Sequence, residues 1–142
     1  MKKVASGIML TLLSIGLLTL LFTSVWAQPD ITATVDIYPQ TLNLGRKGTW
    51  VTAYIELEAG NNVADIDISS ILLNDTISVD PGGPTQIGDY DADGVDDLKV
   101  SFNRTDVATY ILGTGINTGN VTLTITGELN DGTTFGGSDE DN

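Results

Sequence analysis

Apolar and polar residues alternate with a period of two along most of this chain beyond residue 30, and that period allows strands and little else. Thr49–Leu57 is the strongest case: Val51, Ala53, Ile55 and Leu57 share one face, while Trp50, Thr52, Tyr54 and Glu56 share the other. Its β-branched and aromatic content suits a pleated, half-buried surface. Ile31–Tyr38 repeats the pattern, with Ile31, Ala33, Val35 and Ile37 inward and Pro39 as its stop. Val63–Leu73 alternates through Ile66 and Ile68, with Asp65 and Asp67 outward. Leu98, Val100 and Phe102 line one face of the next candidate, and Val121, Leu123, Ile125 and Leu129 line another. Leu42–Leu44 and Ile77–Val79 are shorter candidates. Turns are expected at Gly45–Gly48 and Ala59–Asn62, and Pro81–Pro84 should break any pairing beyond it. Asn130-Asp131-Gly132 is a hairpin signal that leads into a returning strand at Thr133–Phe135.

About seven short strands with turns at roughly ten-residue intervals predict an all-β, antiparallel sandwich of immunoglobulin-like architecture. One short helix has room at Thr105–Leu112, capped by Thr105 and ended by Gly113. Upstream, Lys2 and Lys3 precede an apolar run from Val4 to Trp26, and Val25-Trp26-Ala27 is a small-x-small boundary. Residues 1–27 therefore read as a secretory signal peptide, with an uncleaved membrane anchor as the alternative. The expected organisation is a sandwich domain over residues 28–137 and an acidic, disordered tail over residues 138–142. Losing Lys2 and Lys3 takes the net charge from −13 to −15. Such a surface excludes nucleic acid as a partner and favours cations. The absence of Cys and His removes disulfides, Ser-His-Asp and Cys-His catalysis and the usual zinc sites.

Chemistry concentrates in Asp89-Tyr90-Asp91-Ala92-Asp93-Gly94-Val95-Asp96-Asp97, where five aspartates fall within nine residues. Two carboxylates about 5 Å apart repel by roughly 3 kcal/mol at an effective dielectric of ~20. A loop that gathers them is unfavourable unless a cation sits among them. Calcium fits, because it takes six to eight hard oxygen ligands in a loose shell. Asp89, Asp91, Asp93 and Asp97 are the expected side-chain ligands, the Val95 carbonyl a backbone ligand, and Gly94 the sharp turn. Asp96 is expected to face water. The competing reading is a solvated acidic turn.

This loop resembles the DxDxDGxxD calcium loops of dockerins, thrombospondin type 3 repeats and integrin-type propeller blades. Leu98-Lys99-Val100, which opens a strand directly after it, looks most like the propeller version. It departs from an EF-hand in that the twelfth position is Val100, so the bidentate acidic ligand is missing. A broader resemblance runs from Thr34-Val-Asp-Ile-x-Pro39-x-Thr-Leu-Asn-Leu44 through Lys47-Gly48-x-Trp50-Val-Thr52 and Val63-Ala-Asp-Ile-Asp67 to Val121-Thr-Leu-Thr-Ile-Thr-Gly-Glu-Leu129-x-Asp-Gly-Thr133. It is similar to β-sandwich modules of archaeal and bacterial cell-surface and exported proteins. That resemblance implies a further strand after Gly-Ser-Asp, which the chain end makes short or absent.

Asp65 and Asp67 are spaced about 7 Å apart on a strand, as sugar-hydrolysing carboxylates are, but alternating surface acids more often serve solubility. Tyr38, Trp50 and Tyr54 make either an aromatic platform for sugar rings or, for Trp50, a cover over core or sheet. Asn74, Asn103 and Asn120 each open a glycosylation sequon. The leading expectation is a secreted, non-enzymatic, calcium-stabilised module with a structural, adhesive or surface-anchoring role. Its partners would be calcium, other surface proteins, cell-surface glycans or copies of itself, with a membrane engaged only through an uncleaved leader. The alternatives are a filament subunit assembled by strand exchange at an open edge, and a carbohydrate-binding module.

Overall fold

In the computed structural model, residues 28–42, 48–116 and 118–141 are described, with side chains through residue 139. The expected leader at 1–27, most of the Leu42–Leu44 strand and most of the Gly45–Gly48 turn lie outside them. The elements are β1 (Ile31–Tyr38), β2 (Trp50–Leu57), a 3-10 turn (Val63–Asp65), β3 (Ile66–Leu73), β4 (Ile77–Ser78), β5 (Gln86–Gly88), β6 (Asp97–Asn103), α1 (Arg104–Gly113), β7 (Val121–Leu129) and β8 (Thr134–Asp141). The strands join in one sheet in the order β4-β3-β7-β8-β1-β2-β6-β5. All neighbours are antiparallel except β1 and β8, which run parallel through Ile31↔Phe135 and Thr32↔Gly136.

The alternating pattern is realised almost residue for residue in β1 and β2, where every second side chain is buried. One apolar cluster draws on every strand except β5, on the 3-10 turn and on α1. Phe102, Phe135, Ile37, Ile55, Leu98 and Ile125 are among its largest fully enclosed members. Each such side chain contributes roughly 1.5–3 kcal/mol relative to exposure, which is how a chain without disulfides is held. Val107 and Ile111 fasten α1 to this core.

Four expectations need correction. The returning strand continues to Asp141, so residues 138–141 belong to β8 rather than to a disordered tail. β8 is interior, paired with β7 from Glu128↔Thr134 to Val121↔Asp141 and flanked by β1 on its other side. Two features admit it. Gly137 has no side chain where a Cβ would collide with the Ala33 carbonyl oxygen. The Asp139 carboxylate accepts the Ile37 N–H at 2.7 Å, taking over where backbone pairing with β1 has ended.

Val63–Leu73 is not one strand. Asn62 caps a 3-10 turn by accepting the Ala64 N–H at 2.9 Å. A register shift between Asp67 and Leu72 then leaves Ile68 exposed. Asp67 Oδ1 takes the Ser69 N–H, and Ser70 Oγ bonds both the Asp67 carbonyl and the Glu128 N–H. These local bonds compete with the ladder and produce the bulge. Pairing also resumes two residues after Pro84, as β5. Finally, the helix cap is Asn103, whose Oδ1 accepts the Asp106 N–H, because β6 passes straight into α1.

Candidate metal centre

The polar face of the β1-β2-β6-β5 half of the sheet carries the site. β2 turns Tyr54 and Glu56 to that face, and the Ile55↔Leu98 register brings Glu56 beside Asp97 at the start of β6. The acidic run folds back over these two residues. Gly94 (φ 88°) and Ala92 (φ 59°) take left-handed conformations there, which cost glycine nothing and alanine about 1 kcal/mol.

The loop's carboxylates fix their own backbone. Asp89 accepts the Asp93 N–H on Oδ1 (3.1 Å) and the Gly94 N–H on Oδ2 (2.8 Å). Asp93 Oδ1 accepts the Val95 N–H at 2.8 Å, and Asp97 Oδ2 accepts the Tyr90 N–H at 3.0 Å. Two groups of carboxylates result, each with oxygens within 4.8 Å of one another: Asp89, Asp91 and Asp93 in one, Glu56, Asp91 and Asp97 in the other. Asp91 is common to both. Asp97 is buried, Glu56 half-buried, and the remaining three exposed.

The four expected side-chain ligands thus divide between two groups that share Asp91. For the fifth, Val95, the described contact is made by its N–H rather than its carbonyl. Asp96 is exposed, as expected of a residue facing water. Glu56 was missing from the expected set: as one polar residue in an alternating strand it carries no local signature. Only the β2–β6 register reveals it.

Glu56 is also where the electrostatics are most perturbed. Hydrogen bonding to Asp93, burial, and the negative charges of Asp93, Asp97 and Asp91 push its carboxyl up to about 7. Partial desolvation by the surrounding loop first, then Asp93 and Asp97, raises Asp91. Burial raises Asp97 despite the Tyr90 N–H. Asp93 is held low, chiefly by the Val95 N–H and then by its bond with Glu56. Glu56 Oε1 meanwhile is enclosed and has no hydrogen-bond partner. An orphaned acceptor of this kind costs about 1–3 kcal/mol, a cost that a cation placed among these oxygens removes. With oxygen donors only, such a site fits a hard ion such as calcium and not a thiolate- or imidazole-seeking metal.

Beside the carboxylates stands a row of rings. Tyr90 lies 5.0 Å from Tyr54 at a tilt of 57°, and Tyr54 lies 5.7 Å from Tyr38, edge to face. Lys99 Nζ sits 6.0 Å from the Tyr90 centroid. Trp50 is not in this row. It is half-buried under the Gly82–Gly83 turn, where a Cβ on Gly83 would stand 3.2 Å from Trp50 Cε3.

The other candidates separate. Asp65 lies in the 3-10 turn and Asp67 in β3, where it binds Ser69, so they do not share one strand face. Asn74 is engaged by β7, accepting the Thr124 N–H at 2.7 Å on Oδ1. Asn103 caps α1, and Asn120 is exposed ahead of β7. No helix among the described residues is long and apolar enough to cross a membrane. No family model, curated protein or solved structure matches this chain.

Proposed function

We propose that this protein is a secreted, calcium-stabilised extracellular module, non-enzymatic, with a structural, adhesive or surface-anchoring role. The observation that carries the calcium reading is the enclosed, unpartnered Glu56 Oε1 against Asp91 and Asp97. Glu56 contributes from β2 the acidic ligand that Val100, buried in the core, does not provide at the loop's twelfth position. A bound ion would join β2, β6 and the loop between β5 and β6, so its work is structural. We read the sheet, whose two halves share one apolar core, as an immunoglobulin-like sandwich. The leader-like residues 1–27, the acidic surface and the resemblance to exported modules support an extracellular setting. Strand exchange loses its original motive, since β8 is present inside the sheet and the outermost strands, β4 and β5, have only two and three residues.

Thermal melts of the wild type and an Asp91→Asn/Asp93→Asn variant, each with excess calcium and with chelator, test the reading. Calcium should raise the wild-type midpoint and leave the variant's unchanged. Equal wild-type midpoints with and without the ion would sink it.

A further inference from the structure

A cleft of about 280 Å³ opens on the polar face of β1 and β2, lined by the rings of Tyr38, Tyr54 and Tyr90 and by Thr34 and Asp36 among its polar groups. Glu56, Asp91 and Asp97 line it as well. We infer that this cleft binds a neutral saccharide, stacked on the tyrosine row and hydrogen-bonded through its hydroxyls to Thr34 and Asp36. The inference rests on the calcium reading for one reason: calcium would order the loop that carries Tyr90.

The walls match the ligand. A pyranose ring presents C–H faces and hydroxyl edges, so it suits a face where rings and oxygen acceptors are interleaved, as they are here with Asp36 opposite Tyr54 and two residues before Tyr38. Tyr38 and Tyr90 are 49% and 42% exposed, leaving apolar ring surface in water beside the cleft rather than in the core. The three rings come from different segments, β1, β2 and the acidic loop, yet are successive neighbours with centroids 5.7 and 5.0 Å apart. The volume lies at the lower end for small-molecule sites and suits a short sugar rather than a large cofactor. Charge selects against anions. The four carboxylates of the cleft outnumber the two charges of the calcium proposed to sit on three of them, and the chain carries −13 overall. Uronic-acid and sulfated glycans are disfavoured for that reason.

The loop explains why binding should follow calcium. Tyr90 follows Asp89 and donates its N–H to Asp97, so the oxygens proposed to hold the ion flank and fix its backbone. Releasing the ion loosens Tyr90 without touching Tyr38 or Tyr54, which stand on β1 and β2.

The full protein should be applied to immobilised neutral oligosaccharides (glucans, mannans, galactans and N-acetylglucosamine oligomers) and to galacturonan, with calcium and with chelator. Tyr38→Ala and Tyr90→Ala follow, each checked for unchanged calcium titration and melting. At least one neutral glycan should be retained with calcium. Its affinity should fall about tenfold in chelator and in each variant, the loss expected for one aromatic contact. Retention of no neutral glycan, retention of galacturonan alone, or binding indifferent to both tyrosines overturns the inference. If calcium still titrates normally, those results leave the calcium reading standing. Glycan binding equal in calcium and chelator overturns the coupling, while a missing calcium titration refutes the calcium reading by itself.

Discussion

Replacing Glu56 by Gln separates the proton from the metal at this site. In the metal-free protein the Glu56 carboxyl titrates near 7 rather than 4.5, because Asp93, Asp97 and Asp91 surround it and burial adds to their effect. A raised acid contributes stability that is fully present below 4.5 and is lost as pH rises through 7. The whole shift corresponds to about 3 kcal/mol, but Asp91 and Asp93 are solvent-exposed and screening reduces the effect to roughly 1 kcal/mol. Glutamine has the same shape, carries no charge, and can donate to Asp93. In chelator at pH 8, Glu56→Gln should therefore melt above the wild type by about 4 °C, the shift that 1 kcal/mol produces in a domain of this size. At pH 4 the two should melt together. With calcium at pH 8 the order should reverse, because the variant has lost a charged ligand. Circular dichroism melts at the two pH values, with and without calcium, read all of this. A variant that melts below the wild type in chelator and calcium alike would refute the reasoning, since Glu56 would then be an ordinary stabilising contact.

Other outcomes follow from the packing. Gly137→Ala should destabilise by about 2 kcal/mol or more through overpacking against the Ala33 carbonyl, equally with and without calcium, as read by urea denaturation. Ending the chain at Gly137 removes the Asp139 acceptor from the Ile37 N–H and the final β7–β8 pairs. It should cost about 1–3 kcal/mol on the same assay, whereas a disordered tail would be dispensable. Phe102→Ala, at the centre of the core, should cost about 3–5 kcal/mol in guanidinium titrations.

Much of the fold was legible because its signal is local. The faces of β1, β2, β6 and β7 follow from alternation alone, and Asn130–Gly132 closes its hairpin with Gly132 at φ 89° as the turn chemistry demands. What escaped depends on partners distant in sequence. β5 is three residues long and has no period to detect. In Val63–Leu73, the Asp67, Ser69 and Ser70 side chains replace ladder bonds, so the alternation of Ile66 and Ile68 misleads. The acidic end of β8 reads as a tail until β1 supplies the N–H that Asp139 accepts. The candidate site divides in the same way. Its four aspartates lie within nine residues and announce themselves, whereas Glu56, 33 residues before Asp89, joins them only through the β2–β6 register. The tyrosine row needs the loop to fold back before Tyr90 reaches Tyr54.

Calorimetric titration of calcium into the protein asks whether the carboxylates around Asp91 hold an ion. One saturable site per chain is expected, with a dissociation constant in the range of about 10⁻⁴–10⁻³ M found for extracellular modules, and weaker binding in Glu56→Gln. A wild-type titration without saturable heat at calcium well above that range would contradict the account, leaving the acidic run as a solvated turn.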